Sequence, residues 1–306
     1  MRLLATCLIL LGMVGCSGTS PYRDDYARHV NHAGKAPFTP DTFRMAIAEA
    51  ERLDLRATYD NDNTAGDSSM LYQGGPGAAG LIAMVAQIGV HSSLVSSQRE
   101  EKLAAIQNAA NQHIIPLLDM SSTMSASELI GKEQSPWLAT AEDAQALLVK
   151  PIFFSSQDMS ELSLKLVVWL PDPQGTKKRP NHYKNLIQVF AEPLSDTERE
   201  KLKAGDKTAF QQHLSNLLSV GLAMTHQATT GQYSQGAGNM QTYKISKQGK
   251  FKVIRAAEVA STCHFTIVRD LHKWLIAIPK EKANSLSPNS EEQANHSSGQ
   301  QCHNQV

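Results

Sequence analysis

The chain has 306 residues, 41% of them apolar, enough to build a core in one large or two ordinary domains. Its 29 Lys and Arg are matched by 29 Asp and Glu. That balance excludes the strongly basic class that holds nucleic acid through phosphate charge, so no nucleic-acid partner is expected.

The amino end opens Met1-Arg2, runs apolar from Leu3 to Val14, and reaches a small residue, Gly15, before Cys16. A charged start, a short apolar stretch and a small residue before the cut are the parts of a cleaved export signal. The stretch is too short to span a bilayer core of about 30 Å as a helix. With Cys16 next to the small residue, the leader resembles the lipobox of bacterial lipoproteins. The resemblance covers only these first residues. It implies removal of residues 1–15 as a signal peptide and a thioether from Cys16 to diacylglycerol, with the new amine open to acylation. Ser17, where Asp would hold the protein at the inner membrane, implies an outer-membrane anchor in a Gram-negative envelope, facing the periplasm. Acyl chains contribute roughly 0.8 kcal/mol per buried CH2, so the membrane is engaged through the N-terminal lipid.

Residues 16–37 read as a lipidated tether with a short helix around 22–31. Thr39-Pro40 reads as an N-cap with Pro at the first helical position. Phe43, Ala46, Ile47, Ala50 and Leu53 follow at helical spacing and predict a helix near 40–55. Residues 59–77, rich in Asn, Asp, Gly and Ser, predict a loop. From Ala78 a long helix is predicted, its stripe running through Leu81, Met84, Ile88, Leu103, Ile106 and Ile114, with Pro116 at its end. These elements make residues 38–130 a helical region.

The period changes in residues 136–280. Residues 146–154 are a continuous apolar run, and Leu162, Leu164, Leu166, Val168 and Leu170 alternate. Ser155-Ser156-Gln157-Asp158 between them fits a hairpin connection. Residues 183–192 predict a third strand. Ser195-Asp196-Thr197-Glu198 is a capping box that starts a helix to about Ala223, with a candidate interruption at Gly205. After a Gly/Gln/Ser loop at 228–240, residues 241–247 and 250–255 read as a hairpin around Gln248-Gly249. Residues 259–269 and 273–279 are two further strands. Residues 281–306, almost without apolar content, are expected to be a disordered polar tail. The fold class is therefore α+β: an N-terminal helical region followed by a mainly antiparallel β-sheet domain with one long helix.

Few motifs carry chemistry. Gly75-Pro76-Gly77-Ala78-Ala79-Gly80 has dinucleotide-fingerprint spacing, but a polar loop rather than a strand precedes it, so no cofactor is expected. Residues 78–98 carry no formal charge, but polar Gln87, His91 and several serines argue for a packed helix over a membrane span. Asp60, Asp62 and Asp67 lie as in a calcium loop, yet Ala65 and Leu71 stand where its Gly and Glu belong. The histidines lack metal-site spacing, and HExxH, GxSxG and SxxK are absent, so no metal ligand or catalytic residue is assigned.

Three features remain. Cys7 leaves with the leader and Cys16 is lipidated, so Cys263 and Cys302 are the candidate disulfide in an oxidising compartment. Lys177, Lys178, Arg179, His182 and Lys184 cluster between two strands. Lys244, Lys250 and Lys252 alternate with Tyr243, Ile245, Phe251 and Val253 and predict a second basic face. If adjoining, the two would form a patch for anionic lipid or an acidic partner. The expectation is a lipid-anchored envelope protein that acts by binding an envelope partner or a second copy of itself. Carriage of an apolar ligand, which needs an enclosed cavity, and periplasmic hydrolysis, which needs a polar cleft, are the alternatives.

Overall fold

The computed structural model describes residues 30–48, 51–59, 104–139, 143, 145–176, 179–233, 239–247, 250–280 and 283–285. The apolar run and the alternating segment form the antiparallel hairpin β3 (Leu147–Ser155) and β4 (Leu162–Thr176), with Ile152 opposite Lys165. Its turn is tied by Asp158, whose Oδ1 accepts from Ser156 Oγ at 2.6 Å and from Ser160 N at 3.1 Å and Oγ at 2.8 Å. β5 (Arg179–Phe190) pairs antiparallel with β4.

The capping box forms at Ser195 and opens α3 (Asp196–Lys203). Gly205, at φ +83°, separates it from α4 (Lys207–Thr229), whose N-cap Asp206 accepts from Ala209 N at 3.0 Å. The chain then forms β6 (Gln241–Lys247), β7 (Lys250–Ser261), β8 (Phe265–Asp270), β9 (Leu275–Pro279) and β10 (Ala283–Ser285). The first half adds β1 (Met45–Ile47), β2 (Asp54–Ala57), α1 (residues 104–111) and α2 (Ile115–Ser121).

The ten strands of the described residues join one sheet, in the order β1-β3-β4-β5-β9-β8-β7-β6-β10, with β2 also on β3. The pairings β1–β3, β2–β3 and β5–β9 are parallel, so the sheet is mixed. β5–β9 is the seam between the two hairpin systems. α4 lies across one face, packing Phe210, Leu214, Leu217, Leu218 and Leu222 into a core with the alternating β4 leucines, Ile187 and Val189. Contact is closest at Gly221, where a Cβ would lie 2.6 Å from Leu166 Cδ1 and 3.0 Å from Leu164 Cδ2. The same core takes in Phe43, Met45, Leu55, Ile114 and Leu117. The opposite sheet face is apolar too: Ile152, Phe154, Val167, Leu186 and Trp274 cluster with Val30, and Tyr243, Ile245, Ile254, Val268 and Ile276 form a second cluster.

Residues 30–34 are pinned to that arrangement. Trp274 Nε1 donates to the Val30 carbonyl at 3.1 Å, and Ala33 exchanges two 3.0 Å backbone bonds with Lys184. Gly34 follows at φ +69°, where a Cβ would overlap the His182 carbonyl. Near the C-terminal end of α4, His226 stacks flat on Trp137, centroids 4.6 Å apart, with Phe43 edge-on at 4.9 Å. Burial holds this imidazole below its ordinary pKa.

The fold is α+β, but several expectations need correction. The helix near 40–55 is absent: Thr42 N bonds to the Thr39 carbonyl at 3.1 Å in a turn, and β1 and β2 follow. β1 is buried on both sides and carries three consecutive apolar residues, which mimic helical spacing over so short a length, whereas β2 alternates, with only Leu55 and Ala57 buried. Over its described residues, region 38–130 carries β1 and β2 as well as α1 and α2, so an N-terminal helical region is not supported. Pro116 sits in the first turn of α2, not at a helix end, where its missing N–H costs nothing. α4 continues to Thr229, past the expected stop at Ala223. The expected strand at 259–269 is broken at 262–264, where Thr262 and Phe265 exchange backbone and side-chain bonds. Ala283–Ser285, expected in the disordered tail, pairs antiparallel with β6. The tether before residue 30, the acidic loop, the glycine motif, residues 78–98 and the tail after 285 lie outside the described residues.

Candidate functional site

A cleft of about 660 Å³ opens where α4 passes the carboxyl end of β5 and the start of β8. Its floor is apolar: Val189 and Leu217 are buried, and Leu194, Val220 and Phe265 are half-buried. Its rim carries Glu133, Glu192 and Glu198 against one ammonium, Lys132, with the imidazoles of His213 and His264.

Each rim group is placed by local structure. Glu198 is third in α3 and closes the capping box: its Oε2 accepts from Ser195 N at 2.8 Å and Ser195 Oγ at 2.6 Å. Those bonds hold its carboxyl below the usual carboxylate range, the Ser195 hydroxyl contributing most. His213 Nε2 lies 3.8 Å from the other carboxylate oxygen. Gln134 ends a tight turn in which its N–H and that of Ser135 both bond to the Gly131 carbonyl at 3.2 Å. Its side chain is 2% exposed and donates from Nε2 to Ser219 Oγ on α4 at 2.9 Å. His264 is on the lip, its carbonyl accepting from Lys280 N at 2.9 Å. The preceding residue, Cys263, is disulfide-bonded and exposed.

Ser195, Glu198 and His213 contain the residue types of a hydrolytic triad but in the wrong order. The serine hydroxyl donates to the carboxylate, not to the imidazole, so the serine–histidine contact of a triad is not made. Among the described residues no three His, Cys, Asp or Glu converge as metal ligands. Also among them, no helix is long and apolar enough to cross a membrane.

Of the basic residues singled out in the sequence, the described Lys184 and Lys244 are not brought together. Lys177 and Lys178, like Cys16 and Cys302, lie outside the described residues. Arg179 is exposed at the start of β5, and Lys184 is half-buried beside Ala33, where burial lowers its pKa. Three strands separate β5 from β6, and Lys184 and Lys244 lie on opposite faces of the sheet. In the β6–β7 register Lys244 is opposite Val253, Lys252 opposite Ile245 and Lys250 opposite Lys247. The buried partner of Tyr243 is Ile254, one residue later than the alternation implied. Lys184 and Lys244 therefore do not share one surface of the sheet.

The cleft residues escaped the sequence reading because they come from four separated segments, each ordinary in isolation. Only the Ser195–Glu198 capping box carried a local signal. Compared with known proteins, the chain matches no family model, no curated protein and no solved structure.

Proposed function

We propose that this protein is a lipid-anchored component of the bacterial cell envelope that works by binding, not by catalysis. Cys16 is the anchor, through diacylglycerol at the outer membrane, and the folded part presents its surface to an envelope protein or to a second copy. The observation that carries the binding half is the cleft, whose carboxylate and hydroxyl are engaged in a helix cap instead of in a nucleophile–base pair. Carriage of an apolar ligand between helix and sheet is disfavoured by the close seat of Gly221 on Leu164 and Leu166. The Cys263 disulfide fits an oxidising compartment, and its partner on this reading is Cys302.

Brief crosslinking in cells, followed by capture from solubilised membranes with a Cys16→Ala form as control, tests this. The expected result is a Cys16-dependent partner and loss of the variant from the membrane fraction. A variant that stays in that fraction removes the anchor; wild-type protein captured alone and monomeric removes the binding role.

A further inference from the structure

We infer that the cleft beside α4 is the docking site for a basic peptide segment of a partner protein. The inference rests on the binding role proposed above and names the chemistry of the partner. Three observations point the same way. The rim sets three carboxylates, Glu133, Glu192 and Glu198, against one lysine, so the cleft favours cations. The floor is apolar, which suits Lys and Arg, whose aliphatic stems lie along apolar surface while the charged head reaches outward. The third observation is Gln134. Its carboxamide is almost wholly buried and its Nε2 is satisfied by Ser219. Its Oε1 accepts no hydrogen bond among the described residues and lies against Gly131 on the cleft wall, where a Cβ at Gly131 would come within 2.6 Å. An acceptor open to the cleft can take a donor from an entering group, and ammonium and guanidinium groups are donors only.

The cleft thus offers acceptors at two depths. The rim carboxylates attract a basic side chain, and Gln134 Oε1 accepts from a head or backbone N–H that enters. Anionic and purely apolar ligands satisfy neither. The rim charges govern encounter and salt dependence, and the seated side chain governs residence.

The test uses the purified full-length protein in detergent and a fluorescein-labelled peptide of alternating lysine and leucine, with an alternating glutamate and leucine peptide beside it. Fluorescence anisotropy should show saturable binding of the lysine peptide only, weakened by added salt. Glu133→Gln with Glu192→Gln, both exposed and outside the helix cap, should weaken it about tenfold. Glu51→Gln, exposed and outside the cleft, should leave it unchanged. Equal binding of both peptides, or unchanged affinity in the double variant, overturns the inference. Spermidine competing as well as the peptide would assign the cleft to small polyamines and also overturn it. Because the assay needs no membrane, its failure leaves the Cys16 anchor untouched, and anchor failure leaves the cleft result standing.

Discussion

Two glycines with left-handed backbone, Gly34 and Gly205, differ in what surrounds them. At Gly34 an added Cβ would run into the His182 backbone, whereas at Gly205 nothing lies within 4 Å. Gly205→Ala should therefore cost about 1 kcal/mol, the left-handed penalty alone. Gly34→Ala should cost about 2–3 kcal/mol and break the Ala33–Lys184 bridge. Urea unfolding midpoints of the two variants measure the difference, and faster proteolysis near residue 33 would locate it. His226 supplies a pH dependence. Burial lowers its folded pKa below the unfolded value of about 6.5, so the unfolded chain takes up the proton first as pH falls. Its contribution is present above that value and is lost on acidification. His32, lowered by burial and by Lys273 and Arg269, acts in the same sense. Moving from about pH 7.5 to about pH 5.5 should lower the urea midpoint, and His226→Phe should reduce the drop while keeping an aromatic face on Trp137.

At the scale of elements, the β8–β9 turn hangs on one side chain. Asp270 is buried, and its Oδ1 accepts from His272 N at 2.9 Å and Trp274 N at 2.8 Å. Asp270→Ala should destabilise by about 2 kcal/mol because the buried Trp274 N–H and the part-buried His272 N–H lose their acceptor, and Asp270→Asn should recover part of it. A chemical denaturation series on the three proteins checks this. The elements legible in the sequence were those with local causes: the Ser195–Glu198 box, the β3–β4 and β6–β7 hairpins, and the break at Gly205. β1 and β2 were not: β1 is three buried residues without a period, and the alternation of β2 spans only four residues. The parallel seam from Ile187 to Leu275 was invisible for a different reason: its partners are far apart in sequence and nothing near either announces the other. The cleft shares that difficulty, since Gln134 and Ser219 acquire meaning only when α4 meets the 131–134 turn.

For the whole molecule, the disulfide at Cys263 is the covalent tie. If Cys302 is its partner, as proposed, the bond closes a loop of about 40 residues, worth up to about 4 kcal/mol in the chain-entropy model. Cys302→Ser should then lower the thermal midpoint as much as reduction of the wild type does, and reductant should have no further effect on the variant. A variant still responsive to reductant would assign the bond to another cysteine. The parallel seam has its own consequence. Beyond the Ala33–Lys184 bridge, β5 receives its second neighbour along Ile187–Val189 only when β9 arrives, after two helices and three strands have been made. Until then β5 has an open edge, a surface on which chains pair wrongly. During amino-end-first synthesis or export, the sheet is completed late. A chain cut anywhere between Phe190 and Leu275 is therefore not a smaller version of this protein but an unfinished sheet seeking a strand.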